Sequence, residues 1–166
     1  MTADPTELGL THEIPYREIG VVSRKTKKMV LDTITEVFKR KDYTGVPPSI
    51  VSISQGAVVL PSKEEIPGCY NFFEKNKPGN ILISAGLAKT AILEKNIPIE
   101  VATAAVAAHE AMEHVNFMAG RIGPHSGHKI PWEIHSASIT EKEANSVARE
   151  VIRDLYGYTI HFAEEQ

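Results

Sequence analysis

Residues 109–114 read His-Glu-Ala-Met-Glu-His. Imidazole nitrogens and carboxylate oxygens are the donors zinc takes from proteins, and an acid directly after the first histidine can serve as a general base beside the ion. On this reading His109 and His114 hold Zn²⁺, and Glu110 takes a proton from a water that the metal activates. The spacing sets a geometric condition. Neighbours four apart on an α-helix differ by about 40° and share a face, whereas neighbours five apart differ by about 140°. Convergence of His109 and His114 therefore predicts a one-residue π-type widening between Glu110 and His114. A regular helix instead pairs His109 with Glu113, or Glu110 with His114, and either pair can also ligate a metal.

A catalytic zinc site keeps three protein ligands and one open position. The third ligand is expected from the next helix, whose first turn carries Glu141 and Glu143 in Thr140-Glu141-Lys142-Glu143-Ala144-Asn145. Thr140-x-x-Glu143 also matches a capping box, which satisfies helix-start amides without a metal.

Taken together, these segments resemble the zincin metallopeptidases whose third ligand is a glutamate. In that family His-Glu-x-x-His on one helix is followed by Glu-x-x-Ala-Asp, or Asn in place of Asp, on the next. Glu141 to Asn145 matches the second pattern residue by residue. The resemblance implies Glu141 as ligand, which leaves Glu143 for the cap, and Asn145 as support for a zinc-bound histidine. It also implies a further His or Tyr to stabilise a tetrahedral oxyanion, for which His125, His128, His135, Tyr156 and Tyr158 are candidates. The order of elements is similar to the compact ImmA/IrrE-type metallopeptidases. The expanded His-Glu-x-x-x-His is similar to the TldD/PmbA peptidases and to the His-Glu-x-x-Gly-His of dipeptidyl peptidase III, where Glu113 stands in place of the glycine. Both are much longer chains. What the resemblance implies is a zinc-dependent metallopeptidase acting on a peptide or protein.

The elements that must position these residues follow from periodicity. Residues 24–41 place Met29, Val30, Ile34, Val37 and Phe38 at helical spacing, and Pro47-Pro48 stops that helix. Short β-like runs at 50–53, 57–60, 69–73 and 80–84 are bounded by Gly, Pro, Ser or Asn. Residues 85–93 suggest a short helix. Pro98 opens the motif helix, which ends at Gly120. Residues 121–135 form a loop rich in Gly, Pro and His, a helix runs from Thr140 to about Leu155, and 158–162 reads as a closing strand or an extended tail. The expected class is α+β, a compact zincin-like domain over 21–166 with residues 1–20 as an N-terminal arm. A peptide substrate is expected to add as a strand at the sheet edge near residues 80–84.

A chain of 166 residues with 42% hydrophobic and 23% charged residues is ordinary for a globular domain. A net charge of −3 gives no electrostatic reason for nucleic acid or an anionic membrane as partner, and the basic residues of 24–41 read as a solvated helix face. No apolar run approaches the roughly 20 residues that span a bilayer. The first 20 residues lack the apolar stretch of a secretory signal, and the lone Cys69 forms no intrachain disulfide, so a cytoplasmic location is expected. Cys69 reads as a small buried apolar side chain, Trp132 as a packing anchor, and nothing in the sequence specifies an oligomeric state. Two other functions fit the same residues. One is a non-peptidase metal-binding protein, since Glu110, Glu113, His114 and Glu141 are also ligand types of a carboxylate-rich iron or manganese site. The other is a zincin-shaped interaction module that has lost catalysis.

Overall fold

Alanine is the commonest residue of the motif helix, and that decides the architecture. The computed structural model of the chain describes residues 2–3, 14–121 and 139–165. Among these, three α-helices pack on one mixed sheet, and the class is α+β as expected. The helices are α1 (Arg24–Arg40), α2 (Ile99–Met118) and α3 (Ile139–Tyr156). The strands are β1 (Thr2–Ala3), β2 (Ile14–Ile19), β3 (Ile50–Ser54), β4 (Val58–Val59), β5 (Glu65–Ile66), β6 (Gly68–Asn71) and β7 (Asn80–Ser84). A helix that is apolar all round must be enclosed. Ala102, Ala104, Ala105, Ala107, Ala108 and Ala111 are fully buried, and α2 runs through the middle of the molecule between α1, α3 and the sheet. Their small side chains let the neighbours approach closely, so the candidate side chains of α2 stand on a closely packed backbone.

The main sheet has the order β1-β2-β3-β7-β6. β2, β3 and β7 are parallel, β6 runs antiparallel to β7, and β4 pairs with β5 as a separate ribbon. Val51, Ile53, Ile81 and Ile83 meet Val30, Ile34, Val37 and Phe38 of α1 in the core. Helix ends follow their local signals. Ser23 Oγ accepts from Thr26 N–H at 3.1 Å and starts α1. Gly120, at φ +75°, ends α2 with Gly120 N–H donating to Phe117 O at 3.0 Å and Arg121 N–H to Asn116 O at 2.8 Å, a Schellman closure. Gly157 ends α3 at φ +78°.

Four expectations change. Ile14–Ile19, read as part of the arm, is a strand parallel to β3; Pro15 obscures its alternation. Residues 80–84 are flanked by β3 and β7's other neighbour β6, so they lie inside the sheet, and the edge belongs to β6. Residues 88–91 form one 3₁₀ turn. Residues 158–162 make only an isolated bridge, Ile92 with Phe162, before a final 3₁₀ turn at Ala163–Glu165. No helix among the described residues is long and apolar enough to cross a membrane.

Candidate metal centre

Helix α2 is continuous and regular from Ile99 to Met118, with no π-type widening. The structure therefore does not bring His109 and His114 together, because five regular residues turn the two rings about 140° apart.

His114 is fully buried in an aromatic box. Its ring lies 5.3 Å from Tyr70, 5.4 Å from Tyr43 and 5.8 Å from Phe38, centroid to centroid. Nε2 is 2.8 Å from Val46 O, which can only accept, so the proton sits on Nε2. Nδ1 then accepts from the Tyr70 hydroxyl at 2.7 Å, and that hydroxyl accepts from Gly79 N–H at 2.7 Å. Both nitrogens are committed to the fold. Burial pushes the ring's pKa down to about 4 against the opposing pull of Val46 O, so the imidazole is neutral.

His109 faces the other way. Its Nδ1 lies 2.7 Å from Asn145 Oδ1, which fixes the proton on Nδ1 and aims Nε2 at the acids. Nε2 is 3.1 Å from Glu141 Oε2 and 3.7 Å from Glu113 Oε1. Glu141 is 2% exposed and Glu110 7%. Burial disfavours a charged His109 ring, but Glu141, aided by Glu110 and Glu113, outweighs it and holds the pKa well above the ordinary value. Burial raises the Glu110 pKa to about 8, opposed by His109 and reinforced by Glu141 and Glu164. Burial and then the adjacent Glu141 carboxylate raise that of Glu113 well above the usual range. Four carboxylates thus gather around one imidazole. Glu113 Oε1 has no hydrogen-bond partner among the described residues.

These groups form the floor of a cleft of about 520 Å³. Edge strand β6 forms one wall. A Cβ on Gly68 would stand 2.6 Å from Val106 Cγ1 and 3.0 Å from Leu82 O, so only glycine lets β6 sit this close to α2 beside Glu110. Among the described residues lining the cleft there are six glutamates and no lysine or arginine. Among the described lining residues His109 is the one side chain that can carry a positive charge.

The remaining candidates fall elsewhere. Helix α3 begins at Ile139, one residue before Thr140, and Glu143 meets Arg121 Nη1 at 3.0 Å and Lys41 Nζ at 3.5 Å. Tyr156 bonds Thr33 and Met29, and Tyr158 packs on the core; neither lines the cleft. His125, His128, His135 and Trp132 lie outside the described residues. Cys69 is buried in the cleft wall, where burial and then Glu110 push its thiol up to about 12. One acid was not foreseen. Glu164, on the final 3₁₀ turn, accepts from Asn145 Nδ2 at 2.9 Å. Donor atoms of His109, Glu141 and Glu164 all lie within 4.8 Å of one another. Its only sequence signal is an Ala-Glu-Glu tail, which has no pattern to single it out.

No family model, curated protein or solved structure matches this chain.

Proposed function

We propose that the chain is a metal-dependent hydrolase of peptide-type amide bonds, with a divalent cation held by His109 and Glu141. The observation that supports this most directly is the pairing of buried His109 Nε2 with buried Glu141 Oε2 at 3.1 Å, braced by Asn145 and open to a cleft without lysine or arginine among its described residues. The residues fit a cation. Glu113 Oε1 is buried without a hydrogen-bond partner among the described residues, and one imidazole with carboxyl groups lies within zinc's donor range. When bound, a divalent metal supplies the Lewis acid that polarises a carbonyl and acidifies water. Asn145 fixes the tautomer of His109 so that Nε2 keeps its lone pair for that ion. Glu110 lines the same cleft and, as the carboxylate, would accept a proton from water and deliver it to the leaving amine. Among the described residues β6 ends the main sheet, and an extended peptide can add to it as a strand.

Glu110→Gln tests the reading. Zinc content by elemental analysis should stay at that of the wild type, while cleavage of a mixed peptide library falls by about 100-fold or more. Equal cleavage by the variant removes Glu110 from the reaction. A second reading, a metal-binding protein that does not hydrolyse, gains support from the single imidazole. A carboxylate-dominated set suits iron or manganese as well as zinc. Iron or manganese in the purified protein, with no peptide cleavage, would establish it.

A further inference from the structure

The last residues of the chain cross the candidate centre on a fixed path. Leu93 N–H donates to His161 O at 2.9 Å, and Glu94 receives both His161 N–H and His161 Nδ1 at 2.7 Å. Ile160 and Phe162 are buried, and the Phe162 ring lies 5.8 Å from that of His109. Residues 158–165 thus form a strap pinned on one side of the His109 ring.

Two adjacent acids close the strap and are treated differently. Glu165 pairs with Arg149. Glu164 has no such cation among the described residues and turns inward. Asn145 decides its position. The two ends of that amide are distinct, with Oδ1 accepting from His109 Nδ1–H and Nδ2–H donating to Glu164 Oε1. A carboxylate can only accept, so Glu164 settles which way the amide faces. One side chain therefore sets the rotamers of a histidine and a glutamate together, and their donor atoms fall with that of Glu141 within 4.8 Å. A second observation comes from the same cleft. The Glu110 side chain lines the cleft, is more than nine-tenths buried, and makes no hydrogen bond among the described residues.

We propose that Glu164 is the third protein ligand of the metal, so that the C-terminal strap is part of the centre and is clamped when the ion binds. The inference rests on the metal site proposed above and adds to it a ligand that lies outside both helices. It replaces the second histidine of the motif by a carboxylate 55 positions from His109 (164 − 109). Without an ion, Glu164 faces Glu141 with Asn145 as its one hydrogen-bond donor among the described residues, and the end of the strap should open more often.

Glu164→Gln is the informative variant because its amide oxygen still accepts from Asn145. A role confined to holding Asn145 therefore survives the change, and a role as ligand does not. Zinc affinity is read by competition with a chelating dye, together with the visible spectrum of the Co²⁺-loaded protein. Loss of a supporting group costs about 10–100-fold in metal affinity, so a ligand should cost more than about 100-fold and should alter the cobalt bands. Hydrogen exchange of residues 158–165 should slow on zinc addition in the wild type and not in Glu164→Gln. Thermal unfolding in chelator, unchanged by the substitution, shows that the variant is folded. Zinc affinity within about threefold of wild type, with unchanged cobalt bands, overturns the proposal. If Glu141→Gln abolishes binding in that case, the metal site stands and only the strap's part in it falls. If the wild type binds neither metal, both fall together.

Discussion

His109 and His114 stand five residues apart on one helix and have opposite surroundings. The first ring meets a ring of acids on the floor of a cleft, and its free nitrogen faces outward to them. The second is sealed among Phe38, Tyr43 and Tyr70, with both nitrogens used by the fold. Sign of charge separates the two regions as clearly as geometry. Acids favour a protonated His109, while an apolar box favours a neutral His114. The same residue type, on the same backbone, becomes a candidate ligand in one place and a packing strut in the other. The difference lies in which distant elements each ring meets.

The largest contrast should come from replacing each histidine in turn. His109→Ala is expected to lower zinc affinity by more than about 100-fold, with a modest effect on stability in chelator. His114→Gln should leave zinc affinity within about threefold and cost about 2–3 kcal/mol of stability, since it disturbs a buried hydrogen-bonded pair. Dye competition and denaturant titration measure the two quantities. Equal loss of zinc in both variants would break the distinction.

A pH titration of stability, run in chelator, sharpens it next. The folded pKa of His114, about 4, lies below its ordinary 6.5. The unfolded chain therefore binds a proton near pH 6.5 that the folded chain refuses until about pH 4. The stability contributed by neutral His114 is present above 6.5 and is lost as pH falls through that window, by up to about 1.4 kcal/mol per unit. The raised values at His109, Glu110 and Glu113 work in the opposite sense, so the measurement must be a difference. Wild type minus His114→Gln should shrink between pH 6.5 and 4. A difference that is flat across this range would show that His114 is not held neutral.

The smallest effect is expected at Tyr70→Phe. It removes the hydroxyl between Gly79 N–H and His114 Nδ1 while keeping the ring, and should cost about 1–2 kcal/mol without changing zinc affinity. Tyr70 also lines the cleft, so a change in metal binding would mean that the aromatic box and the metal centre are coupled.

Much of this arrangement is legible in the residues themselves. Pro98 and Gly120 bracket the motif helix, and the alternation of Ile81 and Ile83 marks a strand. Glu141 and Asn145 share a face because they are four apart, and that face meets His109. The fate of His114 was only half legible. Helical geometry separates it from His109, but its partners Tyr43, Tyr70 and Val46 lie in other elements, and no local pattern announces them. Glu164 was invisible for the same reason. Its place depends on where the strap is anchored by Glu94 and the buried Phe162, contacts that sequence order does not encode. β2 was missed because Pro15 interrupts the run, although the strand tolerates it at its first turn of pairing beside the short β1.

The alanines of α2 carry a last implication. A rod gripped on all sides can neither roll nor slide without disturbing every neighbour, so the groups it presents to the cleft are as rigid as the interior. Any adaptation of this chain to a new molecule would be cheapest at the periphery, in the β4–β5 ribbon. Mutational tolerance should therefore be distributed like a hinge around a fixed pin, lax at the rim and lowest along the axis.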